Sequence, residues 1–506
     1  MKAYGLTSRC TGSDALCFVA SALASQGLVT TNQVFARWFQ DRVEAHRFVV
    51  EPIALNELDR WRFDQATGRI AHETGKFFVV DGVRIEQRSP ERLSWDQPIL
   101  HQAEIGILGF VVKRFDGVLH FLVQAKMEPG NLHYVQVSPT VQATRSNFTR
   151  VHQGRAPDYL EYFLDMRLSR VMVDCLQSEQ GSRFWRKLNR NIVVEAQEDV
   201  PLRDDYCWLT LGQLNHLLRQ DNVVNMDART VLSCLPLAAP ELEGWFIEDY
   251  PKCIEAQCGI DRGLLRVPDN LFEAACLMSL VCPANAEAYA HTLRWLSRQR
   301  FGADQSVTSI APREMRNWTV RSDAIAHDEG RFFRVIGVRV DAANREIGTW
   351  CQPIVQPASE GLMACFTRQT SGQVEVLLQS KPEPGNADTI ELGPSVQCFR
   401  RDHREADLPS FTHDADNPDF GIWHVNTLQS EEGGRFYREA NRNRIIEVGG
   451  DWLVEPPDSY RWVPLNQLRP MAVHSRILNV EARCLLASLG AGTLAEGARS
   501  RYPCPK

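Results

Sequence analysis

The sequence lacks any apolar run near the roughly 20 residues that a membrane-spanning helix requires. Its 14 cysteines are dispersed, and close pairs such as Cys10 and Cys17 have the spacing of neither a zinc site nor a dithiol redox motif. A formal net charge of -7 argues against a general nucleic-acid-binding protein, which usually needs a basic surface. We therefore expect a soluble chain with free thiols in a reducing cytoplasm, and no nucleic-acid or membrane partner.

One segment gives a weak signal for secretion. Residues 15–24 (ALCFVASALA) resemble the apolar part of a signal peptide, but Asp14 directly precedes them. A cytoplasmic location stays the favoured interpretation.

Several catalytic motifs are also missing. The sequence has no glycine-rich dinucleotide fingerprint, phosphate-binding Walker loop, paired-histidine metal motif or nucleophile elbow. These absences favour a reaction that needs no redox cofactor, and we expect neither a cofactor nor a metal site.

What the sequence does contain is an internal duplication. WDQPI (95–99) recurs as WCQPI (350–354), and LVQAKMEPGN (122–131) recurs as LLQSKPEPGN (377–386), both 255 residues later. LQSEQGSRFWRKLNRN then recurs as LQSEEGGRFYREANRN after a three-residue slip. A chain of 506 residues is long enough for two cores. We predict an N-terminal extension (1–29), a first repeat (30–236), a packed helical linker (237–286), a second repeat (287–490) and a C-terminal tail (491–506).

Hydrophobic periodicity predicts an α+β fold in each repeat. Residues 31–45 place apolar side chains on one helical face, namely Val34, Phe35, Trp38, Phe39 and Val43. Short apolar or alternating runs between 77 and 143 predict a mixed or antiparallel sheet. The run 176–191 predicts a helix with a strand after it, and two further helices with Thr210 and Asp227 as N-caps close the repeat.

Three polar stretches are candidate ligand sites. Residues 124–131 (QAKMEPGN) end a strand, and the second copy keeps most of them, which favours a ligand site over a solvated charge pair. Residues 136–152 alternate polar side chains on one extended face, which suits either a pocket or a half-exposed strand. The helix predicted at 176–191 would align Glu179, Arg183 and Lys187, as an ion-pair ladder or as a cationic cluster for a pyrophosphate.

Two segments of the first repeat have no evident counterpart in the second. They are SNFTRVH (146–152) and YLEYF (159–163). Because the other candidate residues are largely shared, these segments are the expected place of any chemistry that only the first repeat performs.

The strings WDQPI, VQAKMEPGN, QVSPTVQATRSNFTRVH and LQSEQGSRFWRKLNRN resemble, in order and over nearly the whole chain, the signature of the NDP-hexose 2,3-dehydratases of deoxysugar and antibiotic biosynthesis. The resemblance implies a cytoplasmic homodimer that acts on dTDP-4-keto-6-deoxy-D-glucose, with two tandem degenerate Nudix-like domains. It implies an active pocket in the first repeat and a vestigial one in the second. It also implies an NADPH-dependent 3-ketoreductase partner that captures a labile product.

A true Nudix hydrolase carries clustered glutamates on a metal-binding helix. The matching stretch of this chain carries cations instead, namely Arg183, Arg186, Lys187 and Arg190, around Glu179. This change replaces metal ligands with anion ligands.

The implied substrate defines the chemistry. A ketone at sugar carbon 4 acidifies the hydrogen on carbon 3, so that a base can form an enolate while an acid assists departure of the 2-hydroxyl. We predict Glu128, Tyr159 or His152 as the base, Lys126 or His120 as the group that stabilises the enolate, and Glu179 as the acid. Arg183, Lys187 and Arg190 would hold the pyrophosphate. The predicted substrate-binding residues of the first repeat are Trp95, Gln124, Asn131, Ser138, Thr140, Gln142, Thr144, Arg145, Asn147, Thr149, Tyr162, Arg183, Lys187, Asn189 and Arg190. Those of the second repeat are Trp350, Lys381, Asn386, Arg435, Asn441 and Arg442.

Two alternatives remain open at the level of sequence. A Nudix-type nucleotide-sugar pyrophosphohydrolase would need magnesium and would release a nucleoside monophosphate. A non-catalytic nucleotide-sugar-binding protein would bind without turnover.

Overall fold

The computed structural model describes residues 12–45, 48–89, 92–144, 156–342, 348–399 and 411–490. This part of the chain is α+β, as predicted, with four sheets flanked by helices. Its helices are α1 (Asp14–Leu23), α2 (Asn32–Ala45), α3 (Glu161–Leu164), α4 (Leu211–Leu217), α5 (Met226–Ser233), α6 (Tyr250–Cys258), α7 (Leu271–Val281), α8 (Ala286–Gly302), α9 (Thr412–Asp416), α10 (Leu465–Ala472) and α11 (Val480–Ser488). The strands of the first half are β1 (Phe48–Ile53), β2 (Trp61–Phe63), β3 (Ile70–His72), β4 (Val79–Ser89), β5 (Leu93–His101), β6 (Gly106–Phe115), β7 (Val118–Met127), β8 (Val135–Ser138), β9 (Val141–Ala143), β10 (Ser169–Ser178), β11 (Leu188–Ala196) and β12 (Tyr206–Thr210). Those of the second half are β13 (Asp304–Ile310), β14 (Trp318–Val320), β15 (Ile325–His327), β16 (Phe333–Ala342), β17 (Thr349–Pro357), β18 (Gly361–Thr370), β19 (Gln373–Pro382), β20 (Ile390–Pro394), β21 (Val396–Phe399), β22 (Ile422–Ser430), β23 (Ala440–Glu447) and β24 (Tyr460–Pro464).

Each repeat builds a seven-stranded sheet of the same topology. In the first repeat the order is β10-β11-β6-β7-β12, with β8 beside β7 and β9 beside β6. The strands β11 and β6 run parallel, and the other pairs are antiparallel. The second repeat repeats this order with β22, β23, β18, β19 and β24. Helices α5 and α11 pack on equivalent strands of the two sheets and against each other, which joins the two cores.

The repeats exchange their first strands. Strand β1 lies in the first repeat of the sequence but pairs antiparallel with β16 of the second repeat. Reciprocally, β13 of the second repeat pairs with β4 of the first. Each of the two five-stranded sheets therefore contains one strand from the other repeat, so neither sheet is complete without both halves of the chain.

Buried polar side chains tie the repeats together. Arg229 donates to the carbonyl oxygen of Ser430, and its counterpart Arg483 donates to that of Ser178. A buried guanidinium is costly unless its N–H groups find acceptors, so these contacts fix the relative position of the halves. The Gln-Ser pair retained in both copies belongs to this interface, since Gln177 Nε2 donates to the carbonyl oxygen of Ala472 at 2.5 Å.

The helix predicted at 176–191 is wrong. Strand β10 continues to Ser178, a loop follows, and β11 begins at Leu188. Arg186 has a φ of 49°, which no helix interior allows, and its N–H donates to the carbonyl oxygen of Gly385 in the other repeat. Contacts between the repeats therefore determine the conformation of this segment, although its charged residues have helical spacing.

The predicted helix caps are right in one case and wrong in the other. Thr210 caps α4, since its hydroxyl accepts from the N–H of Gln213 at 3.1 Å. Asp227 does not cap α5, because Asn225 does so by accepting from the N–H of Ala228 at 2.9 Å. Asp227 is instead buried within the first turn of α5.

The helices outside the sheets are also integrated into the core. Residues Ala15–Leu23 of α1 are all buried, as are Ile254 of α6 and Leu277 of α7 from the linker. In α2 the residues Phe35 and Phe39 are buried, but Val34 is exposed and does not belong to the apolar face. Among the described residues, none of the helices is both long and apolar enough to cross a membrane. Most of the described cysteines are buried, for example Cys207, Cys276 and Cys365.

Candidate active site

A cavity of about 290 Å³ lies between the two repeats. The first repeat supplies the start of β6, the end of β7, strand β9 and residues 179–189. The second repeat supplies Thr349–Gln352 of β17 and residues 432–435. The site is therefore composite, and its volume is near the lower end of the range for small-molecule pockets.

Charged side chains of both signs line this cavity. The carboxylates are Glu128, Glu179, Asp227 and Glu432, and the cations are Lys126, Lys187 and Arg435. Asp59 and Arg60 add one further charge of each sign. Such a concentration of buried ionisable groups is typical of a catalytic site.

Glu128 is held by amide side chains. Gln142 Nε2 donates to its Oε1 at 2.7 Å, and the amides of Asn131 and Asn225 lie 3.5 Å from its Oε2. Lys126 Nζ donates to the carbonyl oxygen of Gln142 at 3.0 Å. The first two predicted polar stretches therefore meet in one network.

Glu179 and Lys187 also line the cavity. Asn189 Nδ2 donates to Glu179 Oε1 at 2.5 Å, and Glu179 Oε2 has no hydrogen-bond partner among the described residues. Burial raises the pKa of Glu179. Lys187 Nζ donates to the carbonyl oxygen of Glu104, and burial lowers the pKa of Lys187 to about 8.

The second repeat contributes Glu432 and Arg435. The Arg435 guanidinium lies 4.3 Å from the centre of the Phe78 ring, and its Nε has no partner within the described chain. Glu432 Oε2 also has no hydrogen-bond partner among the described residues. Burial, together with the nearby carboxylates Glu128 and Glu179, raises the pKa of Glu432 to about 7. Burial likewise raises the pKa of Asp227. The cavity therefore contains proton donors and acceptors that titrate near neutral pH.

The carboxylates of Glu128, Asp227 and Glu432 offer oxygens within 4.8 Å of one another. Oxygens this close can receive a divalent cation. However, the cations Lys126, Lys187 and Arg435 share the cavity and can compensate three of its four carboxylates. We therefore assign no metal ion to this cluster and treat it as a set of acid–base groups.

Aromatic side chains surround another part of the cavity. Trp61, His72, Phe77, Phe78 and Trp350 all line it. The rings of Trp61 and Phe78 are 4.8 Å apart, and Trp61 Nε1 donates to the carbonyl oxygen of Cys351 at 2.9 Å. Ring faces of this kind are suited to stacking on a nucleobase.

The second repeat contains a counterpart of the same network. Gln397 Nε2 donates to Glu383 Oε1 at 3.0 Å, and Lys381 Nζ lies 3.4 Å from the carbonyl oxygen of Gln397. Asn386 contacts Glu383 at 3.4 Å, and Asn441 donates to Glu431 at 2.6 Å. Of the predicted residues of the second repeat, Lys381, Asn386 and Asn441 thus occupy the counterpart site. Trp350 and Arg435 line the first cavity instead, and Arg442 pairs with Glu360.

Two features distinguish the counterpart site from the first cavity. Phe399 stands where the first repeat has Thr144, and the Arg183 guanidinium lies 5.4 Å from the Phe399 ring and 4.1 Å from the Phe333 ring. Arg316 forms an ion pair with Asp96 at 2.9 Å, whereas the equivalent positions in the first cavity are Asp59 and Cys351. Arg183 therefore belongs to the counterpart site, and Trp95 does not line the first cavity.

Several predicted site residues have structural roles away from the cavity. His120 is fully buried, where its Nε2 accepts from the N–H of Leu28 and burial lowers its pKa to about 4. Arg190 pairs with Asp174 at 2.7 Å on the surface. Thr140 and Ser138 direct their hydroxyls to backbone carbonyls, and Gln124 does not line the cavity.

Tyr159 and Tyr162 are core residues. The Tyr159 hydroxyl donates to the carbonyl oxygen of Pro201 at 2.7 Å, and burial raises its pKa to about 12. The YLEYF segment does have a counterpart, because Tyr159 and Phe411 both have positive φ and both pack edge-on against a tyrosine, Tyr206 or Tyr460. The expectation that this segment is peculiar to the first repeat is wrong, since the two segments share geometry rather than sequence.

Of the remaining predicted residues, Lys126, Glu128, Gln142, Thr144, Glu179, Lys187, Asn189, Trp350 and Arg435 line the cavity, and Asn131 supports Glu128. Arg145, Asn147, Thr149 and His152 lie outside the described residues. Sequence reasoning missed Asp227 as a cavity residue and missed Glu432 altogether. Glu432 could have been noticed as a difference between the copies, because Gln180 occupies its position in the first.

The geometry defines a duplicated α+β protein with one composite cavity for acid–base chemistry on a polar ligand. The family model described as NDP-hexose 2,3-dehydratase matches residues 32–235 and 289–489. Three proteins described as dTDP-4-dehydro-6-deoxy-alpha-D-glucopyranose 2,3-dehydratase are similar to the chain. The protein from Saccharopolyspora spinosa is 41% identical over 93% of this chain and 94% of its own length. Those from Amycolatopsis orientalis and Streptomyces violaceoruber are each 38% identical, over 93% and 91% of this chain and 93% and 97% of their own lengths. The chain belongs to the NDP-hexose 2,3-dehydratase family, and it is a dehydratase.

Proposed function

We propose that the chain eliminates water from dTDP-4-keto-6-deoxy-D-glucose and that the composite cavity is its active site. The observation that carries the proposal is the set of ionisable groups in one cavity, with a carboxyl of pKa about 7 and an ammonium of pKa about 8. General acid–base catalysis is most effective when the pKa values of its groups lie near the working pH.

The cavity offers a place for each part of this ligand. Arg435 and Lys126 are suited to the pyrophosphate, because the Arg435 Nε has no hydrogen-bond partner in the part of the chain that the structure describes. Trp61, Phe78 and Trp350 offer ring faces for the thymine. The sugar would then face Glu128 and Glu179. This arrangement replaces the predicted pyrophosphate contacts of Arg183 and Arg190.

The reaction needs no nicotinamide. A base removes the proton from carbon 3, which the 4-ketone acidifies, and the C–H electron pair forms the double bond between carbons 2 and 3 as the 2-hydroxyl leaves as water. The product is an enol with its hydroxyl on carbon 3, and it tautomerises to a 3,4-diketo-2,6-dideoxy sugar.

We also propose that the counterpart site of the second repeat is vestigial. Phe399 takes the space that Thr144 leaves open in the first cavity, and the Arg316–Asp96 ion pair spans the position that Cys351 occupies there. Both features support a site that keeps its framework but excludes the sugar nucleotide.

Further parts of the proposal rest on the family resemblance. They are a homodimer, a cytoplasmic location, an NADPH-dependent 3-ketoreductase partner, a role in antibiotic biosynthesis and Nudix-like ancestry of each repeat. Light scattering on the purified chain tests the dimer directly.

The test is incubation with the 4-keto sugar nucleotide, with and without a 3-ketoreductase and NADPH. We expect a 2-deoxy product only in the complete mixture. Recovery of intact substrate would contradict the proposal and would favour a binding protein.

A pyrophosphohydrolase remains the second candidate, because the Glu128, Asp227 and Glu432 oxygens are close enough to receive magnesium. It predicts thymidine monophosphate as product and inactivation by a chelator. Elimination predicts unchanged turnover after treatment with EDTA.

A further inference from the structure

On the basis of the proposed function, we infer that Glu432 of the second repeat is the base that removes the proton from carbon 3, and that Lys187 of the first repeat is the acid that protonates the leaving 2-hydroxyl. The active site would thus be assembled from catalytic groups of both repeats.

The placement of Glu432 follows from the way two loops pack. Residues 179–187 of the first repeat and 431–439 of the second occupy equivalent positions and contact each other, with Gln180 Nε2 donating to Glu431 Oε2 at 2.6 Å. Each loop lines its own repeat's site and also reaches the other's. Glu432 and Arg435 consequently face the first cavity, whereas Arg183 faces the counterpart site.

The two sites share most of their polar residues. Equivalent residues that are identical in type are Lys126 and Lys381, Glu128 and Glu383, Gln142 and Gln397, Glu179 and Glu431, Asn189 and Asn441, and Arg435 and Arg183. The counterpart site keeps all of these residues. They therefore do not by themselves explain any difference in function between the two sites.

Apart from the positions of Asp59, Arg60 and Cys351, whose counterparts are Arg316, Asn317 and Asp96, two ionisable positions differ in chemical type. Gln180 takes the place of Glu432 in the counterpart site, and Glu439 takes the place of Lys187. A glutamine cannot accept a proton as a carboxylate does, and a carboxylate cannot act as a cationic acid. The first cavity therefore has a base and a cationic acid that the counterpart site lacks.

Glu432, like Asp227, is also less engaged than Glu128 and Glu179. Glu128 lies within reach of three amide groups and Glu179 accepts from Asn189. Glu432 Oε2 has no partner within the described residues, and Glu432 lies beside Glu128 and Asp227. The pKa of Glu432 is about 7 and that of Lys187 is about 8. Between these two pH values Glu432 is a carboxylate while Lys187 is an ammonium.

The proton transfers balance over one turnover. The Glu432 carboxylate takes the carbon 3 proton, the C2–O bond breaks, and the Lys187 ammonium gives a proton to the departing hydroxyl, which leaves as water. The Lys187 amine then takes the proton of the enol hydroxyl, and the Glu432 carboxyl returns its proton to carbon 2. Both groups regain their starting state, and the product is the 3,4-diketo sugar.

The experiment compares Glu432→Gln and Lys187→Met with the matched control Glu439→Gln, which changes a carboxylate in the counterpart site. Turnover is measured in the coupled reductase assay, and dTDP affinity by calorimetry. We expect kcat to fall by ~10²–10⁴-fold in each of the first two variants with a Kd for dTDP within about threefold, and no change in the control. A Glu432→Ala variant should regain part of its turnover with added formate, which would also show that it folds.

The outcomes separate the two proposals. If the wild-type chain forms no 2-deoxy product, the proposed function fails and this assignment fails with it. If the wild type is active and Glu432→Gln keeps its kcat within tenfold, or formate restores nothing to Glu432→Ala, only the assignment of the base is wrong. If Lys187→Met loses dTDP affinity and keeps kcat, Lys187 binds the pyrophosphate and is not the acid.

Discussion

Replacing Gly130 with alanine should uncouple the two repeats at the active site. An alanine Cβ at this position would lie 1.7 Å from the carbonyl oxygen of Phe436 in the other repeat. The N–H of Gly130 donates to the carbonyl oxygen of Gly433 at 2.7 Å, and the carbonyl oxygen of Gly130 accepts from the N–H of Arg438 at 2.6 Å. Forced overpacking costs ~1–3 kcal/mol and each lost hydrogen bond about 1 kcal/mol, which gives a loss of about 3–5 kcal/mol. That is a large part of the ~5–15 kcal/mol that stabilises a typical protein.

Urea denaturation followed by tryptophan fluorescence measures this loss. Gly385→Ala is the matched variant, since its Cβ would meet the carbonyl oxygen of Phe184 at the same 1.7 Å. Gly302→Ala is the control, because nothing lies within 4 Å of its added Cβ. Turnover of Gly130→Ala should also fall, since Phe436 belongs to the loop that carries Glu432. A denaturation midpoint for Gly130→Ala equal to that of Gly302→Ala would refute the reasoning.

Three further predictions follow from the titratable groups. Turnover should rise with pH through about 7 as Glu432 ionises and fall above about 8 as Lys187 loses its proton, and a flat pH profile would contradict this pair. Tyr159→Phe should lose about 2 kcal/mol of stability in urea denaturation but keep its kcat, because the Tyr159 hydroxyl donates to the carbonyl oxygen of Pro201 and accepts from the N–H of Arg203 outside the cavity. Burial lowers the pKa of His120 to about 4. The folded state therefore favours the neutral ring. The resulting contribution to stability is fully present above the ordinary pKa of 6.5 and is lost as the pH falls from 6.5 towards 4. The denaturation midpoint should therefore drop more between pH 7 and 5 in the wild type than in His120→Gln, with kcat the same in both at pH 7.

Local patterns in the sequence were sufficient for the strands and for part of the site. The alternating and apolar runs between 77 and 143 predicted the strands of the first sheet. The polar stretch at 124–131 placed Lys126 and Glu128 together, because residues two apart on a strand share a face. The cap at Thr210 followed from a side chain that bonds its own helix. In each case the information lies within a few residues of the feature that it predicts.

Features that depend on contacts between the repeats could not be predicted in this way. Residues 176–191 have helical spacing, but the loop conformation is fixed by distant bonds such as that from the Arg186 N–H to Gly385. The exchange of β1 and β13 could not be predicted from the sequence either, because the two strands are equivalent and each could pair with either repeat. Retention of the Pro-Gly-Asn turn indicated a ligand site, whereas Gly130 serves the contact between repeats and Asn131 supports Glu128.

The composite cavity depends on both repeats. The second repeat supplies Glu432, Arg435 and Trp350 to the first cavity, and it completes the first five-stranded sheet with β13. Both repeats therefore contribute residues to the composite cavity. It follows that a substitution in the second repeat can act on catalysis through Glu432 or Arg435 without touching the counterpart site. Conversely, Arg183 lies in the first repeat but belongs to the counterpart site, so sequence position alone does not say to which site a residue belongs.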